Sequence, residues 1–519
     1  MYRCHANSCC NGCSGSIDRR RFLQQAAAAA TLGGLWPLAG VADAKAGRVR
    51  VATVFLGNSS IRESWPYPGF DADGRQREIL AVLRQGCPDV DFIPVTVKKP
   101  DDAKKALALK AEVDGYLVYV VTLDWALGGT VADIGALGKP MLVANEFLGG
   151  CGTFLTSYSG LCSRGIPAAA VSSTRLSDLV AVARQFAGVR HEGMTPSAFA
   201  RRCEEVYRKT FCARGSMDCT NDRVTLTDIA DCVESFRRSS FLIVGRGKPS
   251  QEQNFLGATA RYVDFAELSQ FYEEVDMDEA REWAERWREA SEFVTGPEPE
   301  AVEKAGAVYL ATLELLKKYN TDSVTMNCLG GFAAGKLPAY PCLGFMQILN
   351  DGGQGVCEAM ADDTLSMLMA RILTGRPGYV SDPALDTSKN QIVYAHCVAT
   401  TKAFGPKSAA NSFRILTLHN RDPRGSCCQS FLPSGYMTTS FRTNAARKQM
   451  IIHQAKAVDN LVSEYGCRTK LVAEVCGDIG KLFDQWDQFG WHRVTVYGDV
   501  KEPLAEFGKA LGLNVIEEA

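Results

Sequence analysis

From residue 47 onward, short apolar runs alternate with longer segments whose apolar positions recur on one helical face. Short continuous apolar runs are typical of strands buried on both faces of a parallel sheet, and the longer periodic segments predict helices. In the first part of the chain, strands are predicted at 49–55, 90–97, 115–121, 140–145 and 168–171, and helices at 75–84, 101–111 and 177–186. This alternation predicts a parallel α/β domain over residues 47–195.

A second alternating pattern occupies residues 196–382. The pattern predicts a helical stretch at 195–231, a strand at 241–244, helices at 278–293 and 299–319, and a strand at 323–327. Residues 327–351 are rich in glycine and proline, which predicts a long functional loop. The segment from Glu358 to Thr374 then has the periodicity of a helix that ends at Gly375 and Pro377.

Beyond residue 382 the pattern changes to short extended runs separated by turn signals. Strands are expected at 391–396, 412–419, 437–441, 470–476 and 492–497, with a helix at 503–511. These runs predict a β-rich, barrel-like domain over residues 383–519. The predicted fold class is therefore α/β, with two doubly wound parallel-sheet domains of the Rossmann or flavodoxin type followed by a β-rich C-terminal domain.

Composition narrows the possible functions. The chain has 519 residues, 46% hydrophobic and 22% charged, with a formal net charge of −2. Such a balance gives no electrostatic case for nucleic acid as a partner. After the N-terminal segment, no apolar run reaches the ~20 residues that span a bilayer. A length of 519 residues predicts two to four domains.

Residues 1–46 have the features of a twin-arginine signal peptide. An arginine cluster in Asp18-Arg19-Arg20-Arg21-Phe22-Leu23-Gln24 precedes an alanine-rich apolar segment, and two A-x-A cleavage sites lie at 42–44 and 44–46. This order predicts export to the periplasm or secretion, with a mature chain that begins near residue 45 or 47. The alternative is an amphipathic or disordered tail.

Two groups of cysteines have open roles. Ahead of the arginines, a cysteine-rich stretch with one histidine could hold a metal or cluster: Cys4, His5, Cys9, Cys10 and Cys13. A second group, Cys203, Cys212, Cys219 and Cys232, matches no zinc-binding spacing. Outside the cytoplasm, this second group could form one or two disulfides.

Two carboxylates flank the predicted helix at 358–374, and their placement points to a metal. The helix would climb roughly 24 Å and the extended return to Asp382 roughly 20 Å, so Glu358 and Asp382 would meet at one end. His396 and His492 occupy strand ends of the C-terminal domain, from which they could reach the same site. Oxygen-rich ligation with imidazole suits Mn²⁺, Mg²⁺ or Co²⁺. Motifs of the common hydrolases and NTPases are not found.

Three segments resemble the L-fucose/L-arabinose isomerase superfamily. They are C-E-x-x-x-x-x-x-L-x-M-L-M-x-x-x-L-T-G-x-P-x-x-x-x-D from Cys357 to Asp382, N-Q-I-V-Y-A-H-C to Cys397, and W-H-R-V-T-V-Y-G-D from Trp491. The order of two α/β domains and a β-rich domain resembles the same family. The resemblance implies an aldose–ketose isomerase that acts on a sugar through an enediolate, with subunits assembled into a homo-oligomer.

The resemblance also implies roles for individual residues. Glu358 and Asp382 would bind Mn²⁺ and move protons between C1 and C2, and His492 would be the third protein ligand. His396 matches a metal ligand of the arabinose-type members, but a plain hairpin between strands 378–382 and 391–396 would place it far from Asp382. Asn327 and Trp491 are the candidate substrate contacts.

Two alternatives to the isomerase stay open. One is a secreted carbohydrate-binding protein of the same fold without turnover, although the presence of both carboxylates argues against it. The other is a metal-dependent sugar epimerase or lyase, because these enzymes share the same proton chemistry.

Overall fold

The structure is a computed structural model that describes residues 47–58 and 65–519. The predicted signal segment and its cysteines lie outside the described residues, so the export prediction stays a prediction. Within the described part of the chain, no helix combines the length and apolar composition needed to cross a membrane.

A five-stranded sheet, with every strand parallel to its neighbours, forms the first α/β unit. Its strands are β1 (Val49–Leu56), β2 (Val90–Val97), β3 (Gly115–Val120), β4 (Met141–Asn145) and β5 (Ala169–Val171), in the order β2-β1-β3-β4-β5. The α-helices of this unit are α1 (Ala72–Gly86), α2 (Ala103–Ala108), α3 (Gly128–Gly135), α4 (Cys151–Ser163), α5 (Leu176–Ala183), α6 (Gly188–His191) and α7 (Pro196–Arg208). Because β3 and β4 are buried at every position, the sheet is covered on both faces as predicted.

The second α/β unit is built on another five-stranded sheet. The chain contributes β6 (Ser240–Val244), β7 (Glu252–Phe255), β8 (Ala258–Val263), β9 (Val294–Thr295), β10 (Ser323–Met326) and β11 (Gln354–Cys357). The sheet order is β11-β10-β6-β8-β7, with β7 antiparallel and β9 paired elsewhere. The helices are α8 (Ile229–Arg238), α9 (Phe265–Glu273), α10 (Met277–Ala290), α11 (Pro299–Lys318), α12 (Cys328–Ala333), α13 (Cys342–Asn350) and α14 (Ala361–Thr374).

Two predictions for this second unit are wrong in detail. Residues 209–228, predicted to be helical, form neither helix nor strand, and several of their polar groups bond to residues later in the chain. Asp222 pairs with Arg376 at 2.5 and 2.8 Å, for example. Residues 327–351, predicted to be a loop, contain α12 and α13. Their glycines serve packing, since a Cβ on Gly331 would lie 2.3 Å from the Phe265 ring.

A six-stranded barrel closes the C-terminal third, as predicted. The strands of this region are β12 (Tyr379–Asp386), β13 (Gln391–His396), β14 (Phe413–Leu416), β15 (Cys427–Ser430), β16 (Met437–Asn444), β17 (Gln449–Asn460), β18 (Thr469–Val475), β19 (Arg493–Tyr497) and β20 (Asn514–Glu517). The barrel order is β16-β19-β12-β13-β18-β17, and a β16–β17 pairing closes the ring. Strand β20 adds to β17, and β14, β15 and β9 form a small separate sheet. Helices α15 (Trp486–Phe489) and α16 (Lys501–Ala510) flank β19.

The predicted domain boundary after Asp382 falls inside a strand. β12 runs without interruption from Tyr379 to Asp386, and it pairs with β13 and β19 of the barrel. Asp382 is therefore a barrel residue, whereas Glu358 follows the last strand of the second sheet.

The second cysteine group consists of free thiols. Cys203 and Cys232 are buried in α7 and α8, Cys212 is exposed, and Cys219 is partly buried. All fifteen cysteines that the structure describes are free, so disulfides do not hold the described fold together.

A buried ionic network ties the end of the chain to the barrel. Glu518, 2% exposed, accepts bonds from Arg493 Nε at 3.0 and 3.1 Å and lies 2.9 Å from His453 Nδ1. Although burial opposes ionisation, Arg493 and His453 lower the pKa of Glu518 to about 2. Removing one partner of such a buried ion pair lowers the free energy of unfolding by about 3–5 kcal/mol.

We therefore predict that Glu518→Gln lowers the melting temperature at pH 7, measured by differential scanning calorimetry. Because the folded-state pKa is depressed, this contribution is complete above about pH 4.5 and lost as the pH falls towards about 2. The variant should lose less stability than the parent protein across that window. Glu517→Gln is the matched control, since Glu517 is exposed and pairs only with Lys501. Equal melting temperatures for Glu518→Gln and the parent would contradict the assignment.

Candidate metal centre

Four candidate residues, Glu358, Asp382, Trp491 and His492, line a cavity of about 550 Å³ where the two α/β units meet the barrel. Trp65, Asp124 and Trp125 line it from the first unit, and Glu358 and Met360 from the second. The C-terminal domain contributes seven lining residues, and three of these offer carboxylate or imidazole ligand atoms, namely Asp382, His419 and His492. The site is therefore assembled from all three parts of the fold.

Glu358 lies in a tight turn between β11 and α14, not on the helix as predicted. It and Ala359 have positive φ angles of 69° and 52°, and the helix begins at Ala361. Thr325 Oγ1 accepts a bond from the Met360 amide at 3.2 Å and so fixes the turn. Left-handed backbone at a non-glycine residue carries a cost that is typical of functional positions. The turn directs the Glu358 carboxylate into the cavity.

Asp382 and His396 lie close together at one end of the barrel. β12 extends to Asp386 and the chain reverses at residues 387–390, so Asp382 pairs directly with Ala395, the neighbour of His396. The expectation that a plain hairpin separates the two residues is therefore wrong. It assumed that the strand ended at Asp382.

His492 lies at the centre of the carboxylates. Its Nε2 atom is 3.0 Å from Asp382 Oδ1 and 3.6 Å from Glu358 Oε2. Its Nδ1 atom lies 2.5 Å from Oδ2 of the fully buried Asp363. Burial opposes protonation, yet Asp363 and Asp382 hold the pKa of His492 well above its usual value. A carboxylate behind a histidine fixes the ring orientation, as it does for histidines that bind metals.

His396 completes the group. Its Nε2 atom is buried and has no hydrogen-bond partner among the described residues, and it lies 3.9 Å from Glu358 Oε1. Ligand atoms of Glu358, His396 and His492 all lie within 4.8 Å of one another. A buried nitrogen without a partner is costly and is often explained by a missing ion. The described residues thus contain a group that can hold a divalent metal.

Two residues of the site were missed in the sequence. Asp363 and Arg442 form a fully buried pair, with Arg442 Nε 2.5 Å from Asp363 Oδ1. Burial opposes ionisation of Asp363, but Arg442 and His492 hold its pKa well below the usual value. Gly490, with φ of 68°, lets the chain pass Arg442, since a Cβ there would lie 2.6 Å from the guanidinium. No local motif marks these long-range contacts.

Tryptophans form one wall of the cavity. The Trp491 ring lies 5.0 Å from that of Trp65 and 5.7 Å from that of Trp125, and its Nε1 donates to the Pro383 carbonyl at 2.8 Å. Trp491 therefore lies beside the metal candidates, where a substrate contact was expected.

Asn327 lies apart from this group. It lines a separate cavity of about 500 Å³ with Gly245 and Asp264, and its amide donates to the Gly245 carbonyl at 3.2 Å. The structure therefore does not place Asn327 with the other candidates. Asn327 directly follows the end of β10 and is not a lining residue of the cavity beside His492.

Two α/β units and a barrel with carboxylates and imidazoles at one end have the arrangement that the sequence resemblance implies for a sugar isomerase. No family model matches the chain. Two curated relatives are sulfoquinovose isomerases from Priestia aryabhattai and Priestia megaterium (strain ATCC 12872 / QMB1551). Each is 28% identical over 269 residues, covering 50% of this chain and 58% of the relative. The chain thus spans less than two thirds of the length of these relatives.

Asp363→Asn is expected to weaken Mn²⁺ binding about 10- to 100-fold, because it removes the charge that orients His492. Isothermal titration calorimetry measures the dissociation constant. Asp362→Asn is the matched control, since Asp362 precedes Asp363 on α14 but accepts a bond from the Ala445 amide. An unchanged dissociation constant in Asp363→Asn would contradict this role.

Metal binding is also expected to release a proton. Because the pKa of His492 is raised, the metal-free imidazole is protonated at neutral pH and must lose one proton to bind through Nε2. Below that pKa the apparent affinity should therefore rise with pH. Titrations in buffers of different ionisation enthalpy count the protons released. Binding that neither depends on pH nor releases protons would show that His492 is not a ligand.

Proposed function

We propose that this protein is a metal-dependent aldose–ketose isomerase of the fucose/arabinose type. The observation that carries the proposal is the proximity of Glu358, Asp382, His396 and His492, three of which line one cavity while His396 lies 3.9 Å from Glu358. Two similarities in sequence support the proposal. The segments that contain these residues resemble motifs of the isomerase family, and about half of the chain is similar to two sulfoquinovose isomerases.

The four converging residues would hold Mn²⁺, or another hard divalent cation such as Mg²⁺ or Co²⁺. Two carboxylates and two imidazoles make a donor set that suits these ions better than it suits thiolate-preferring metals. A cation bound there supplies electrostatic stabilisation to the negative charge that develops on the sugar oxygens.

Glu358 is the better placed of the two carboxylates to carry the proton. Isomerisation removes a proton from C2 and returns it to C1, which needs a base that can reach the substrate. The Glu358 side chain is 34% exposed to the cavity, whereas Asp382 is 7% exposed and lies 3.0 Å from His492. We assign proton transfer to Glu358 and a holding role to Asp382.

The cavity wall suits a sugar. Trp65, Trp125 and Trp491 present flat apolar surface, and the same cavity is lined by carboxylates and Arg442. A pocket of about 550 Å³ accommodates a small ligand. Fucose- and arabinose-type aldoses and sulfoquinovose form the substrate panel, the last because both relatives are named for it.

The test is incorporation of solvent deuterium at C2 of each sugar by Mn²⁺-loaded protein, followed by NMR. The parent protein should exchange at least one sugar, and Glu358→Gln should lower the rate by about 10²–10⁴-fold, the usual worth of a general base. Glu464→Gln is the control, because Glu464 is exposed and pairs with Arg468.

The Mn²⁺ content of each protein distinguishes the reasons for which exchange can be lost. If Glu358→Gln loses exchange but keeps its normal Mn²⁺ content, Glu358 takes part in proton transfer. Retained exchange in Glu358→Gln would overturn the base assignment. Absence of exchange with every sugar, despite normal metal content and measurable sugar binding, would favour a carbohydrate-binding protein. Exchange without a ketose product would favour an epimerase or lyase.

We also propose that the protein acts outside the cytoplasm as a homo-oligomer. The twin-arginine pattern supports export, and the motif resemblance supports assembly. Cell fractionation and light scattering of the purified protein test these two points.

A further inference from the structure

A second group of metal-binding side chains lies beside the candidate centre and has no part in the chemistry above. Cys397 follows β13, His419 follows β14, and Cys467 precedes β18. Each is only 5% exposed. Their ligand atoms all lie within 4.8 Å of one another.

The spacing of these atoms matches a tetrahedral zinc site. His419 Nδ1 lies 3.8 Å from Cys397 Sγ and 3.5 Å from Cys467 Sγ. Zinc bonds of about 2.3 Å to sulfur and about 2.0 Å to nitrogen place those atoms about 3.5 Å apart around a tetrahedral ion. The three ligand atoms can therefore receive an ion with little rearrangement.

Three protein ligands leave one position of a tetrahedral ion open. His419 and Cys467 both line the cavity, so a solvent molecule from the cavity can fill that position. Cys427 contacts Cys397 but is not among the side chains whose ligand atoms lie within 4.8 Å of one another. Cys397, His419 and Cys467 come from three separate stretches of the chain, so an ion would join segments that are distant in sequence.

The chemistry of the donors separates this group from the first one. Thiolate and imidazole favour zinc, while the carboxylate-rich group around His492 favours harder cations. His396 and Cys397 are adjacent residues, so the two groups are neighbours that differ in ligand type.

We propose that Cys397, His419 and Cys467 bind a zinc ion. Two thiols lose their protons to solvent as two Zn–S bonds form, and His419 binds through neutral Nδ1. The ion fixes the segments that carry His419 and Cys467, both of which line the cavity. The proposal does not depend on the reaction that the cavity supports.

The test is the metal content of purified parent protein by mass spectrometry, followed by Co²⁺ substitution. About one zinc per chain is expected, and Co²⁺ should give thiolate charge-transfer absorption and the strong visible bands of a tetrahedral site. Cys467→Ala should lose both signals. Cys203→Ala is the matched control, because Cys203 is equally buried but lies on α7.

Two further measurements keep the outcomes distinct. Glu358→Gln should keep the zinc and the cobalt spectrum, which separates this site from the first. If Cys467→Ala does not fold, release of zinc from the parent protein by a mercurial thiol reagent replaces it. Purified protein without zinc, unable to take up Co²⁺ with thiolate bands, would overturn the proposal. So would a Cys397–Cys467 disulfide found by thiol titration, or an iron–sulfur cluster.

Discussion

The contact between Asp363 and His492 connects the parts of this protein. Asp363 lies in the first turn of α14, and His492 immediately precedes β19 of the barrel. Their 2.5 Å contact joins the second α/β unit to the barrel at the cavity. Because Arg442 from β16 also bonds Asp363, one buried carboxylate fixes a helix against two adjacent barrel strands. Without Asp363, a buried and positively charged His492 would have lost its strongest partner.

Barrel closure explains how residues far apart in sequence reach one cavity. The antiparallel register of β12 with both β13 and β19 brings Asp382 beside His396 and His492. Glu358 arrives from another sheet, through a turn with two left-handed residues. A regular helix start would continue along α14, whereas this turn directs the side chain towards the barrel. The left-handed turn at Glu358 and Ala359 thus both carries the backbone strain and sets the position of the Glu358 carboxylate.

Local patterns predicted most strands and helices of the fold. The bounds of β13 match the prediction, because this strand is buried at nearly every position and leaves a continuous apolar run. The bounds of β2 also match, although this edge strand is only partly buried. β17, which closes the barrel, was not predicted, since its half-buried alternation is interrupted by Lys456 and Asp459. Residues 209–228 were predicted to be helical because the signal of a helix is local, whereas this segment makes long-range contacts with Glu474 and Lys456 of the barrel.

The site was predicted only in part, for a similar reason. Carboxylate and histidine positions could be found from motifs, but Asp363 and Arg442 are recognisable only once α14 packs against the barrel. Asn327 was a candidate substrate contact because it lies in a part of the chain that resembles the isomerase family, yet it lines another cavity. The proposed zinc ligands could not be predicted either. Cys397 and Cys467 have no zinc-like spacing along the chain, and they come together because β13 pairs with β18 in the barrel.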